Sequence, residues 1–243
     1  MDPKDRIIIA LDVDTRREAL EWVSRLRGRV GLFKVGSQLF TSEGSTLVKE
    51  IVQRGERVFL DLKFHDIPST VAKSVVVAAD LGVTMLTLHA GGGRAMMGSA
   101  VEALNRISSP GTHPLLLGVT VLTSLAGDEF DAIGFSESVE FQVIRLAKLA
   151  EQSGLDGVVA SPSELALLRG QLKASMKIIT PGIRPAGSAA HDQIRTATPA
   201  AAIQAGADYL VIGRPITASP DPLASLEAII ESLSAGPAGF GLR

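Results

Sequence analysis

The chain has no cysteine, which excludes disulfides, cysteine-ligated zinc and thiolate nucleophiles and fits the cytoplasm. No excess of one charge is present either. Twenty-four lysines and arginines stand against 26 aspartates and glutamates, a formal charge of −2. That balance argues against a broad electrostatic surface for nucleic acid or anionic membrane, so any bound anion is met by a few local groups. Long hydrophobic runs are missing as well: the first, Ile7 to Leu11, follows a charged start and is too short for a signal core or a membrane span. A soluble protein without a targeting segment is expected. No Gly-x-Gly-x-x-Gly follows the first strand and no Walker sequence occurs, which removes the usual nucleotide fingerprints. There is no His-Glu-x-x-His and no acidic triplet spaced for calcium, and lysines compete with a cation for the central acids, so neither a metal nor another cofactor is expected.

What is present is ample apolar residue, 46% of 243 positions, enough for a large core. Short β-branched runs alternate with amphipathic stretches along the whole chain. Strands are predicted at 6–12, 31–36, 57–62, 83–89, 114–120, 155–160, 176–180 and 208–213. Helices are predicted at 15–27, 43–54, 68–81, 93–107, 136–153, 162–171 and 198–205, several closed by glycine (Gly28, Gly55, Gly82, Gly154, Gly206). Eight strands each followed by a helix, in about 250 residues, match the closed (β/α)8 barrel of the α/β class. An open doubly wound sheet is the alternative, and its fingerprint is missing. No compositional break marks a linker, so one domain over 1–243 is expected, with a loose tail from about 234.

The richest segment is Leu60 to Thr70. Asp61 and Lys63 lie two apart on a strand and so share a face, Asp66 falls in the following turn, and Pro68 suits the first position of a helix. A structural salt bridge would account for one Asp-x-Lys pair; a second acid three residues on points instead to a site. In a barrel the active site forms at the C-terminal strand ends. There the strands carry Asp12, Lys34, Asp61 with Lys63, His89, Thr120 leading to Thr123 and Ser124, Thr180, and Gly213 with Arg214. Each alone could be a cap or a rim ion pair. Two lysines and three acids converging from separate strands imply a charged ligand. After strand eight, Gly213 lets the backbone approach closely and Pro215 opens a short helix, a common phosphate position to which Arg214 can add a bidentate clamp. Residues 181–197 lack apolar periodicity and are expected to form a functional loop, often a lid. His65 and His89 are equally compatible with structural hydrogen bonding, and Gly91, Gly92 and Gly93 with shaping a turn.

The segment Asp61-Leu62-Lys63-Phe64-His65-Asp66-Ile67-Pro68 resembles the Asp-x-Lys-x-x-Asp signature of orotidine 5′-monophosphate decarboxylases. Matching pieces extend over nearly the whole chain: Ala10-Leu11-Asp12, Phe33-Lys34-Val35-Gly36, His89-Ala90-Gly91-Gly92, Val119-Thr120, Thr180-Pro181-Gly182-Ile183-Arg184, Asp192-Gln193 and Gly213-Arg214. The resemblance implies a homodimeric barrel enzyme of pyrimidine biosynthesis that acts on a nucleotide without a cofactor. It implies an alternating tetrad of Lys34, Asp61, Lys63 and Asp66, with Asp66 reaching the partner subunit's site. It further implies Asp12 and Thr70 at ribose hydroxyls, Thr70 across the interface, and Thr123 and Ser124 at the pyrimidine. Arg184, Gln193, Gly213 and Arg214 would hold the phosphate, and Ile67 and Pro181 would complete the substrate contacts. Ser69 stands where many relatives carry Asn. Two other readings remain: a magnesium-dependent sugar-phosphate decarboxylase or aldolase of the same barrel group, against which Lys34 speaks, and a non-catalytic phosphate-binding barrel.

Overall fold

The structure is a computed structural model that describes residues 1–108, 113–125, 128–185 and 196–234. Eight parallel strands close into a barrel in chain order: β1 (Ile7–Ala10), β2 (Leu32–Gly36), β3 (Val58–Phe64), β4 (Met85–His89), β5 (Leu115–Val119), β6 (Gly157–Val159), β7 (Lys177–Thr180) and β8 (Tyr209–Ile212). Closure is made by β1 against β8, where Ile8 faces Val211 and Ile9 faces Ile212. The connecting helices are α1 (Arg16–Leu26), α2 (Ser37–Gln53), α3 (Pro68–Ala79), α4 (Gly93–Ile107), α5 (Asp128–Ala132), α6 (Val139–Gln152), α7 (Leu165–Arg169), α8 (Pro199–Gln204), α9 (Arg214–Thr217) and α10 (Pro222–Ser234). Among the described residues no helix is long and apolar enough to cross a membrane.

Strand alternation divides the core into two layers. Outward residues such as Ile7, Ile9, Phe33, Val35, Leu86 and Leu88 pack with helix residues such as Val23, Leu47, Val75 and Met97 in the outer layer. Inward residues Ile8, Leu32, Phe59, Met85, Leu117, Ile179 and Tyr209 form a separate plug inside the barrel. Two residues further along, the inward position is charged or polar on β2 to β4 (Lys34, Asp61 and Thr87) and small or apolar elsewhere (Ala10, Val119, Val211 and, just past β7, Pro181). The plug seals the lower barrel, so polar groups above it face the mouth.

Several boundaries differ from the pattern-based expectation. β3 runs on to Phe64 rather than ending at 62, because it contains an irregularity described below. α2 begins at Ser37, not 43; it is interrupted at Gly44 (φ 65°, ψ −163°), a conformation that glycine takes readily, and the break hid the first two turns. The expected helix 162–171 is a 3-10 turn, Pro162–Glu164, followed by the short α7. α5 and α10 are additions. The five helix-closing glycines all have positive φ, from 69° to 113°, with Gly82 one residue later relative to its helix than the others. The 181–197 stretch is not structureless at its ends: the Arg184 N–H donates to Ala197 O (2.9 Å) and the Ala197 N–H to Gly182 O (3.3 Å), pinching the loop base into a parallel bridge. Its middle, 186–195 with Gln193, and the tail from 235 lie outside the described residues.

Candidate active site

A cavity of about 270 Å³ opens at the C-terminal mouth, and its wall changes chemistry around the barrel. β1 to β3 supply acids and bases. Lys34 Nζ lies 3.2 Å from Asp12 Oδ1, and Lys63 Nζ lies 2.9 and 3.0 Å from the two Asp61 oxygens. The Lys34 ammonium bends over Gly36, the next inward position, where any Cβ would stand 3.1 Å from it. β5, β6 and the chain after β5 supply Val119, Val121, Leu122, Val159 and Thr123, a mostly apolar wall that continues to Phe59 and Val211. The segments after β7 and β8 supply Pro181, Gly182, Arg184, Gly213 and Arg214. The cavity therefore offers alternating charge on one side, two guanidiniums on another and an apolar surface between.

The arginine side is electrostatically strained. Arg184 is buried; its Nη1 donates to Ile183 O at 2.9 Å, while its Nε is buried without a hydrogen-bond partner among the described residues. Burial first, and then the Arg214 charge, push the Arg184 guanidinium below its usual range. An anion placed between the two would relieve both effects. A side chain at Gly213 would abut Ala10 Cβ (3.4 Å) and Asp12 Oδ2 (3.5 Å), so its lack of one leaves the β8 end open toward the cavity.

β3 holds the least regular backbone of the site. After Leu60 pairs with Leu86, the next pair is Phe64 with Leu88, so Asp61, Leu62 and Lys63 stand against Thr87 alone. Lys63 has φ 51°, the one positive φ on a non-glycine residue among the described residues. Such a conformation costs roughly 1–3 kcal/mol and persists only when its surroundings enforce it. The carboxylate and ammonium do meet as alternation predicts, but across a bulge rather than along a regular strand. Thr87, buried and hydrogen-bonded to both residues, was missed by pattern reasoning. Its signal was a hydroxyl at an inward position between Leu86 and Leu88.

The other predicted residues separate clearly. Asp12, Lys34, Asp61, Lys63, Thr123, Pro181, Arg184, Gly213 and Arg214 line the cavity. Ser124 is exposed beside Thr123 and does not line it. Asp66, Ile67 and Thr70 are exposed outside their own chain's cavity. Asp66 Oδ1 accepts the Ile67 N–H at 2.6 Å, and Asp66 and Ile67 border a shallow depression with His65, Gly91 and Gly92. His65 and His89 stack with ring centroids 5.0 Å apart. His89 Nδ1 accepts the Gly91 N–H at 3.0 Å, and burial, then His65 and Lys63, lower the His89 pKa.

The profile of the family described as orotidine 5′-phosphate decarboxylase / HUMPS matches residues 5–229. A curated orotidine 5′-phosphate decarboxylase of Laribacter hongkongensis is 55% identical over 229 residues, 94% of this chain and 93% of the relative. That of Syntrophotalea carbinolica is 50% identical over 97% of both chains. Among solved structures, an orotidine 5′-phosphate decarboxylase from Lactobacillus acidophilus superposes with a TM-score of 0.84 at 39% identity, covering 94% of this chain and 99% of that one.

Proposed function

Because the chain belongs to the orotidine 5′-phosphate decarboxylase / HUMPS family, we propose that it converts orotidine 5′-monophosphate to uridine 5′-monophosphate and carbon dioxide. The observation that carries the reading is the single cavity with the Lys34, Asp61 and Lys63 charges on one side, Arg184 and Arg214 on another, and an apolar wall between them. A phosphorylated pyrimidine nucleoside with a carboxylate on its ring has the complementary groups: phosphate for the arginines, ring for the valines and Thr123, carboxylate for the Asp61–Lys63 pair.

The chemistry follows from those residue types. The C6–carboxylate bond breaks with both electrons left on C6 in an orbital that the ring delocalises poorly, and carbon dioxide departs. The Lys63 ammonium stabilises that localised charge more than the dispersed charge of the substrate, which is the differential interaction catalysis requires. It then gives C6 a proton and regains one from water. Asp61 stands beside the substrate carboxylate and keeps Lys63 oriented; Lys34 and Asp12 serve the ribose and the charge network. A divalent cation at these acids would have to displace two ammonium groups, which favours this reading over the sugar-phosphate rival.

The reading extends to a cytoplasmic homodimer in which Asp66 and Thr70 complete the partner's cavity. Their exposure outside their own chain's cavity supports it. Absorbance on adding orotidine monophosphate to chelator-treated protein tests the activity: undiminished turnover is expected, and activity that requires added magnesium would transfer the assignment to the rival. For the shared site, Lys63→Ala and Asp66→Asn subunits, each inactive alone, are mixed after reversible dissociation. In every mixed dimer one site carries both lesions and the other neither, so random pairing restores roughly a quarter of all sites. Proven subunit exchange without recovered activity would refute the sharing.

A further inference from the structure

The bulge in β3 takes a part-buried backbone donor out of the regular register with β4. Since Asp61, Leu62 and Lys63 oppose a single β4 residue, the Lys63 N–H cannot join the regular ladder. It donates instead to Thr87 Oγ1 at 2.9 Å, and the same hydroxyl donates to Asp61 Oδ1 at 3.0 Å. A hydroxyl is one donor with two acceptor lone pairs, so one small group accepts from the backbone and donates to the carboxylate at once. Valine, of the same shape, can do neither. Thr87 is fully buried and does not line the cavity.

We propose that Thr87 is a positioning residue: by tying the left-handed Lys63 backbone to the Asp61 carboxylate, it aims the Lys63 ammonium at the reacting carbon. The inference rests on the reading of Lys63 as proton donor, and it adds a determinant that touches no part of the substrate. Three restraints then act on two residues. The Lys63 backbone is held by Thr87, the Asp61 carboxylate is held by Thr87, and the Lys63 side chain is held by both Asp61 oxygens. Without the hydroxyl, Lys63 keeps its ion pair but loses the contact that enforces its positive φ. Its ammonium then samples positions away from C6, a displacement that costs turnover rather than substrate affinity.

The test compares wild type with Thr87→Val and Thr87→Ser. Hydrogen exchange at the Lys63 amide, which needs no activity, should accelerate about tenfold or more in the valine variant and return to wild type with serine. In the same proteins kcat should fall about 10- to 100-fold with valine, while the dissociation constant for uridine monophosphate moves less than about threefold, and serine should restore kcat. If valine does not fold, Thr87→Ala replaces it and is read in the same way. Unchanged Lys63 protection in a folded variant lacking the hydroxyl overturns the proposal, as does a fall in kcat matched by an equal loss of nucleotide affinity. A wild type unable to decarboxylate orotidine monophosphate, yet with Lys63 protection that depends on Thr87, would sink the assigned reaction and leave the positioning contact standing.

Discussion

At the floor of the barrel, Asp208 just before β8 takes the Arg169 guanidinium and, at 2.9 Å, the Ile178 N–H, while Arg169 also donates to Gly206 O and Met176 O at 2.7 Å each. At the mouth, Asp61 takes Lys63 and the Thr87 hydroxyl and, among the described residues, no backbone group. The two ends have similar residue types in similar pairs. They differ in what closes the remaining valences: at the floor the charges are knitted into backbone that begins the strands, and at the mouth they are tied to one another and left facing a cavity. Asp156 repeats the backbone contact before β6, accepting the Leu116 N–H at 2.8 Å. An ion pair in a barrel sequence is therefore not diagnostic by itself, because a staple and a site use the same residues; the presence of backbone partners separates them.

Four measurements sharpen or break that contrast. Lys63→Ala should produce the largest effect, a loss in turnover of about 10³-fold or more with little change in nucleotide affinity, since the ammonium matters most once the carbon–carbon bond is breaking. Near-normal turnover would make the mouth pair another staple. Arg214→Ala should lower kcat/KM by about 10²-fold for the phosphorylated substrate, the scale of a charge-assisted contact. The unphosphorylated nucleoside should be a poor substrate for wild type and almost indifferent to the change; a large effect on it would mean that Arg214 does not act through phosphate.

Asp208→Ala reverses the signature. It strands the Ile178 N–H and Arg169, and should lower the melting temperature by roughly 4–8 °C while leaving kcat per folded molecule within about twofold. A catalytic defect without thermal loss would erase the distinction between the two ends. The smallest effect is expected from His89. Burial, followed by the His65 and Lys63 charges, lowers its pKa in the folded protein from the ordinary 6.5. The unfolded chain therefore takes up this proton first as pH falls. The contribution to stability is complete above about pH 6.5 and is lost as pH drops through the lowered folded value, by less than about tenfold in the unfolding constant per pH unit. Chemical denaturation of His89→Gln across that window should show a shallower acid dependence than wild type, and an unchanged slope would remove His89 as its source.

The strand–helix alternation, the helix-closing glycines and, through the period of two, most of the cavity are written in the order of residues alone. From Ile8, Leu32 or Tyr209, one step of two residues along the strand moves from plug to cavity wall, at Ala10, Lys34 and Val211. These are local patterns, and local sequence encodes them because each strand needs only its own alternation to sort its side chains between faces. The rest comes from packing between distant segments. The β3 bulge arises from pairing with β4, so neither the positive φ of Lys63 nor the role of Thr87 is visible in either strand alone. Arg184 and Arg214, 30 residues apart, are brought into mutual repulsion by the ends of β7 and β8. Asp66, Ile67 and Thr70 belong to the same short motif as Asp61 and Lys63, yet the turn into α3 carries them out of the cavity that their neighbours line. Each of these depends on register and direction between segments distant in the chain, which packing of the whole barrel sets and no local periodicity records.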